Sequence, residues 1–351
     1  MGPLLRALPR SISEAVGASS RTPMRISEGS REAKSKSNSP GVAFAAVSRD
    51  LFVLQTTLTS LLMRDLRAIK NLSSSEQHPA PESTGASVTF ADLEIRGPTD
   101  APAARQHAVD LFARHGLCWF GDGIDKGLLE RCRSAAEELL NHCLGEVQRR
   151  ALPAIERGTS NGYAEIVARA PGRYDMLYGT DRAPFDGPSL REEAKWMPLV
   201  DELLGGEATL LFSGLLMTLG GAARQPWHTD GEHLFGPEIA TLPPHVLNVF
   251  VPLVDICPEI GGTELCPGSH HLTRGVPEIY EQSTEHLKTI GWRGSPLALE
   301  IPAGSVLLFD YRLLHRALAN RTDRLRPILY LTFARPWFRD VHNFPERRLF
   351  L

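Results

Sequence analysis

With 351 residues, 42% of them hydrophobic and 23% charged, the chain carries enough apolar side chain for one large domain or two ordinary ones. A formal charge of -3 at pH 7, with no long basic block, excludes an electrostatic nucleic-acid or membrane surface as partner and leaves a small molecule or a local protein substrate. Five cysteines without a CxxC form an odd, sparse set that reads as free thiols in an intracellular compartment, cytoplasmic or organellar; Cys257 and Cys266, flanking a tight loop, are the one pair that could join.

Residues 1–40 hold five Arg, two Lys, three Glu and many Ser, but too few large apolar groups to order a segment. This composition fits an organelle transit peptide, against which Glu14, Glu28 and Glu32 count, or a plain unstructured extension. "LFVLQTTLTSLLMRDLRAIKNL", over 51–72, has helix-like apolar spacing in stretches too short to span a bilayer, and is expected to be an amphipathic helix. Residues 73–87, rich in Ser, Pro and Glu, read as a linker, so the chain divides into an extension over 1–87 and a folded domain over 88–345.

Within that domain, "ARQHAVDLFARHG" is expected to be a helix closed by Gly116, "LCWF" a short strand, and "DKGLLERCRSAAEELLNHCL" a second helix with apolar i, i+3, i+4 spacing. Beyond Ala208 come short apolar runs separated by Gly and Pro: "TLLFSGLLMTL", "VLNVFVPLVDI", "GTELCPG", "LALEIP", "SVLLFDY" and "RPILYLTFARPWF". Many strands in succession without intervening helices point to a sandwich or jelly roll, not a parallel sheet. No internal repeat is visible.

Chemistry concentrates in "QPWHTDGEH", over 225–233. His228 and Asp230 are two apart, so an extended chain turns both to one face, where imidazole and carboxylate together suit Fe(II). Such a site needs another His, and His315, just after a hydrophobic strand, is a candidate to complete it. Arg326 opens the apolar strand "RPILYLTF"; a guanidinium entering a core strand wants a carboxylate, either from a ligand or from an internal acid such as Asp310 or Asp323.

Taken in order, "WHTD", "GGTELCPGSHH" and "HRALANRTDRLRP" make the chain resemble the phytanoyl-CoA dioxygenase-like family of Fe(II)- and 2-oxoglutarate-dependent oxygenases, over roughly Val88 to Arg339. The resemblance implies a mainly β fold with flanking helices, a double-stranded β-helix (cupin-like jelly roll), with iron held by His228, Asp230 and His315. It also implies 2-oxoglutarate chelating that iron, its distal carboxylate on Arg326, and O2 in the last position, for hydroxylation of a substrate with release of succinate and CO2. Halogenases similar to this family carry a small residue in place of the carboxylate; Asp230 therefore favours hydroxylation. No signature for a CoA moiety is visible.

Trp227, Thr263 and Asn248 could line the co-substrate site, since a buried carboxylate needs further hydrogen bonds, or could be ordinary barrel packing. Glu232 and His233 read as bystanders, because a second carboxylate on the metal would close a position the chemistry needs. His270 and His271 belong to a tight "PGSH" bend, and Asn320 to a strand-end turn. Arg173, Tyr174 and Asp175 fall on the connection into the roll and either bind substrate or cap a loop, whereas Trp337 and Phe338 read as packing.

Three functions fit. The first is an enzyme hydroxylating a small organic molecule; the second is a non-catalytic cupin-like metal-binding or scaffold protein; the third is a protein side-chain hydroxylase, which requires an open groove. The partner is then a small-molecule substrate, with no nucleic acid and no membrane span, and the oligomeric state is left open.

Overall fold

The computed structural model describes residues 88–235, 242–272, 283–340 and 343–350. The expected extension over 1–87, with its helix over 51–72, lies outside them. Among the described residues no helix is long and apolar enough to cross a membrane.

Helix α1 (Pro102–His115) begins on a proline and stops at Gly116, whose left-handed φ of 75° lets its N–H reach Phe112 O. Gly116 also faces the His270 ring, which a Cβ there would meet at 2.5 Å. Strand β1 (Leu117–Phe120) follows at once. Helix α2 (Lys126–Arg149) is capped by Asp125, whose carboxylate accepts from Leu128 N at 2.9 Å. Leu128, Cys132, Ala136, Leu140, Cys143 and Val147 form its buried stripe, which continues past the expected end at Leu144.

The remaining strands are β2 (Ile166–Ala170), β3 (Arg173–Met176), β4 (Thr209–Thr218), β5 (Val246–Pro252), β6 (Thr263–Leu265), β7 (Leu297–Ala298), β8 (Val306–Asp310), β9 (His315–Ala317) and β10 (Arg326–Ala334). Helix α3 (Met197–Leu204), which packs against α1, and the short α4 (Thr284–Thr289) complete the set. Seven strands make one antiparallel sheet in the order β1-β8-β5-β10-β4-β3-β2, and three make a second in the order β7-β6-β9. The fold is the mainly β jelly roll with flanking helices that the resemblance implies, one of the two forms left open by the run of short strands.

Strand β10 is central, paired with β4 on one side and β5 on the other, and all nine of its residues are buried. Strand alternation divides them: Arg326, Ile328, Tyr330 and Thr332 line a cavity between the two sheets, while Leu329, Leu331 and Phe333 join the apolar core.

Two features differ from the sequence expectation. Arg173–Met176 is not a connection into the roll but a strand of the large sheet, with Arg173 opposite Thr218 and Asp175 opposite Leu216. Its four residues mix charge and apolarity, so no alternation marks them as a strand. The compact body also continues past 345, because Leu349 is fully buried and Phe350 stacks on Tyr178 at 4.3 Å. All five cysteines are free, Cys257 and Cys266 included.

Candidate active site

Two backbone hydrogen bonds build the centre of the site. His228 N donates to His315 O at 3.0 Å and His315 N to His228 O at 2.9 Å, an antiparallel bridge that sets the two imidazoles side by side with ring centroids 4.4 Å apart. Asp230 N and Gly231 N both donate to Tyr311 O at 3.1 Å, which fixes the turn after Asp230. Only glycine fits at 231, since a Cβ would stand 2.2 Å from the Tyr311 ring.

The nitrogen and carboxylate atoms of His228, Asp230 and His315 lie within 4.8 Å of one another, and His315 Nε2 is 3.6 Å from Asp230 Oδ2. His228 Nδ1 faces Pro226 O at 3.0 Å and His315 Nδ1 faces Leu313 O at 3.0 Å. A carbonyl can only accept, so each Nδ1 carries a proton and Nε2 is the ring atom left available to a metal. Burial, and then His315, push the His228 pKa down to about 4, which keeps that ring neutral. Asn248 Nδ2 donates to Asp230 Oδ2 at 2.6 Å, and Thr332 Oγ1 donates to Asn248 Oδ1 at 2.7 Å. Two imidazoles and one carboxylate, each oriented from behind, form a donor set that fits a divalent iron.

Arg326, only 2% exposed, lines the same cavity. Its guanidinium donates to Gly261 O and, at 3.0 Å, to Thr218 Oγ1, while Nε has no partner. No carboxylate pairs with it among the described residues. Asp310, one of the internal acids considered from sequence, is bound by Arg312 at 2.8 and 2.7 Å, and Asp323 makes no ion pair with Arg326. Burial, with Arg173 adding repulsion, lowers the Arg326 pKa to about 9.

The outer wall was not legible in the sequence. Asp175 accepts from Arg169 Nε at 2.9 Å and Nη2 at 2.6 Å through one oxygen, and from the Tyr330 hydroxyl at 2.7 Å through the other. Arg169 also donates to Asn343 O at 3.0 Å and stacks 5.1 Å above the Phe344 ring, which brings the C-terminal segment against the cavity. Tyr330 and Thr332 could have been found from Arg326 by strand alternation. Arg169, Asn343 and Phe344 carry no comparable signal.

Of the other residues singled out from sequence, Thr263 and Asn248 line the cavity, and Asn248 does so by holding Asp230. Trp227 is a correction. It is fully buried away from the cavity with Cys266, Leu287, Trp292 and Leu314, under the Arg316 guanidinium at 3.9 Å, because it alternates with His228 along an extended segment. Arg173 and Tyr174 do not line the cavity, whereas Asp175 does. Glu232 and His233 stand outside it, His270 is buried beneath Gly116, and Asn320 serves its turn by bonding Leu219 O, Arg324 O and Thr322. Trp337 stacks on His245 with centroids 6.0 Å apart.

The family model for phytanoyl-CoA dioxygenase matches residues 112–328, more than half of the chain, including His228, Asp230, His315 and Arg326. The chain belongs to the phytanoyl-CoA dioxygenase family. Enzymes of this family are oxygenases that use Fe(II), 2-oxoglutarate and O2. Among solved structures, EctD from S. alaskensis with bound Fe is 24% identical over 70% of this chain and 81% of that one, with a TM-score of 0.51. AviO1 from Streptomyces viridochromogenes Tue57 is 21% identical over 67% of this chain and 97% of that one, with a TM-score of 0.47. At such identities the likeness to EctD speaks for the fold.

Proposed function

We propose that the protein is an Fe(II)- and 2-oxoglutarate-dependent dioxygenase that hydroxylates a small organic molecule, releasing succinate and CO2. The observation that carries this reading is the pairing, in one cavity, of two histidines whose Nδ1 atoms are occupied by carbonyls with a buried arginine that no acid among the described residues neutralises. His228, Asp230 and His315 would hold the metal through Nε2, a carboxylate oxygen and Nε2. Arg326 would take the distal carboxylate of 2-oxoglutarate, whose charge offsets a buried guanidinium that is costly alone. When bound, iron with 2-oxoglutarate and O2 supplies the oxidant for an unactivated C–H bond.

The rest of the work falls to the chain. Asn248 and Thr332 keep the Asp230 carboxylate aimed, the apolar strand β10 beneath excludes water, and Tyr330, Asp175 and Arg169 set the wall against which a substrate lies. A cavity of about 310 Å³ is at the lower end of small-molecule sites, which supports a small substrate over a protein side chain presented in a groove.

The test is an anaerobic titration of the Fe(II)-loaded protein with 2-oxoglutarate, followed by the visible charge-transfer band of the chelate, with His228→Ala as control. A band in the wild type alone supports the reading. Iron retained without a band would leave a metal-binding scaffold instead.

A further inference from the structure

Behind the Arg326 guanidinium, away from the cavity, stands a second buried cation. Arg173 on β3 and Arg326 on β10 face the same residue of the strand between them, Thr218 on β4. The Thr218 hydroxyl accepts from Arg326 Nη2 at 3.0 Å and from Arg173 Nη1 at 3.2 Å. The three residues are 2%, 4% and 2% exposed in the order Arg326, Arg173, Thr218.

The other Arg173 donors go to main-chain oxygens: Nε and Nη2 to Ala223 O at 3.0 and 2.7 Å, and Nη2 to Leu318 O at 2.6 Å. Ala223 lies on the segment that leads to His228, and Leu318 directly follows the strand that carries His315. Carbonyls satisfy hydrogen bonds without cancelling charge. Two guanidiniums therefore share one neutral hydroxyl with no carboxylate on either among the described residues. Such an arrangement is costly unless an anion joins it.

We propose that Arg173 is a positioning residue for the co-substrate: through the Thr218 hydroxyl it fixes the Arg326 guanidinium, and its uncancelled charge makes this end of the cavity select 2-oxo acids that carry a second carboxylate. The inference rests on the reading of Arg326 as the clamp for 2-oxoglutarate. It differs from a purely structural staple in what it predicts. A staple would change stability alone, whereas a positioning residue also changes co-substrate affinity and selectivity while metal retention stays intact.

The experiment uses the full-length Fe(II)-loaded protein, titrated anaerobically with 2-oxoglutarate and, separately, with the monocarboxylate 2-oxobutyrate. Charge-transfer absorbance, iron retention and melting temperature are read for the wild type, Thr218→Val, Thr218→Ser and Arg173→Met. Thr218→Val, nearly isosteric, is expected to raise the 2-oxoglutarate concentration for half-saturation about tenfold, the scale of one charge-assisted hydrogen bond, at unchanged iron retention and with a modest fall in melting temperature from the two donors left unpaired. Thr218→Ser is expected to recover it. In Arg173→Met the preference for 2-oxoglutarate over 2-oxobutyrate is expected to shrink at least tenfold.

Wild-type half-saturation and preference in Thr218→Val would overturn the proposal, and should Arg173→Met fail to fold, that variant decides alone. If the wild type itself shows no band, the co-substrate reading fails and the inference falls with it. A band in the wild type that Thr218→Val leaves untouched sinks the inference only.

Discussion

Each proposed ligand of the metal is oriented by a contact on its far side. His228 leans on Pro226 O, His315 on Leu313 O, and Asp230 on Asn248, so the three functional atoms are held convergent from behind. Replacing His228, Asp230 or His315 with Ala is expected to abolish iron-dependent succinate formation while the melting temperature stays near that of the wild type. Full activity in any one of them removes that residue from the triad. Asn248→Ala leaves the three ligands in place but frees the Asp230 carboxylate, and is expected to weaken Fe(II) binding by about 10- to 100-fold, measured by metal competition. Affinity equal to the wild type would make Asn248 a packing residue. Arg326→Ala is expected to raise the 2-oxoglutarate requirement chiefly, and an unchanged requirement would assign Arg326 to the fold alone.

Elements differ in how plainly their sequences announce them. The run "RPILYLTFA" could be read as β10 because nine buried residues in the middle of a sheet need apolar side chains on both faces, and its opening Arg stood out as the misfit. The spacing of His228 and Asp230 puts both on one face and the place of His315 after a hydrophobic strand makes it a candidate beside them, while the resemblance joins the three as proposed ligands. Strand β3 could not be read this way, because Arg173, Tyr174 and Asp175 are polar for reasons visible only once β4 and the Arg169 side chain are beside them. Trp227 misled because adjacency in the chain is not adjacency in space, and neighbours in an extended segment face opposite ways. The C-terminal segment was the hardest to place, since its polar residues bond elements far back in the chain: Arg347 N–H groups to Gly162 O, and Leu349 N to Glu165. Leu349 is nevertheless fully buried, so Leu349→Ala is expected to cost about 2 to 5 kcal/mol in denaturant unfolding, the usual range for a core leucine. A loss below half a kcal/mol would show this segment to be dispensable to the fold.

For the molecule as a whole, buried histidines held neutral are expected to contribute to the loss of stability in acid. Burial first, and then His271, lower the His270 pKa to about 3; Asp310 and Arg312 also face it, as does His115. His245 is lowered to about 4 by burial first, with Arg312, Asp310, His233 and Arg335 around it. Both values lie below the roughly 6.5 of an unfolded imidazole, so the unfolded chain binds more protons and stability falls as pH drops below that value toward each folded pKa. Each ring steepens this loss by up to about 1.4 kcal/mol per pH unit within its window. The melting temperature of the wild type is therefore expected to fall between pH 6.5 and 4, and His270→Gln to flatten that dependence relative to its own value at pH 7.5. An identical slope in the variant would locate acid sensitivity elsewhere.

The reciprocal hydrogen bonds between the His228 and His315 backbones have a further consequence, for the identity of the metal. Under the proposed role, a scaffold closed by main-chain bonds is preformed, so capture of an ion costs little ordering and release does not unfold the protein. A rigid frame of two imidazoles and a carboxylate ranks divalent ions by the Irving–Williams series, in which Co, Ni, Cu and Zn all bind more tightly than ferrous iron. Among the described residues, the donor types of the proposed site do not themselves favour iron over those ions, so under this role selection would fall to geometry and metal supply. Under that role, protein purified without control of metal supply is expected to be a mixture of metal forms in which only the iron fraction reports on catalysis.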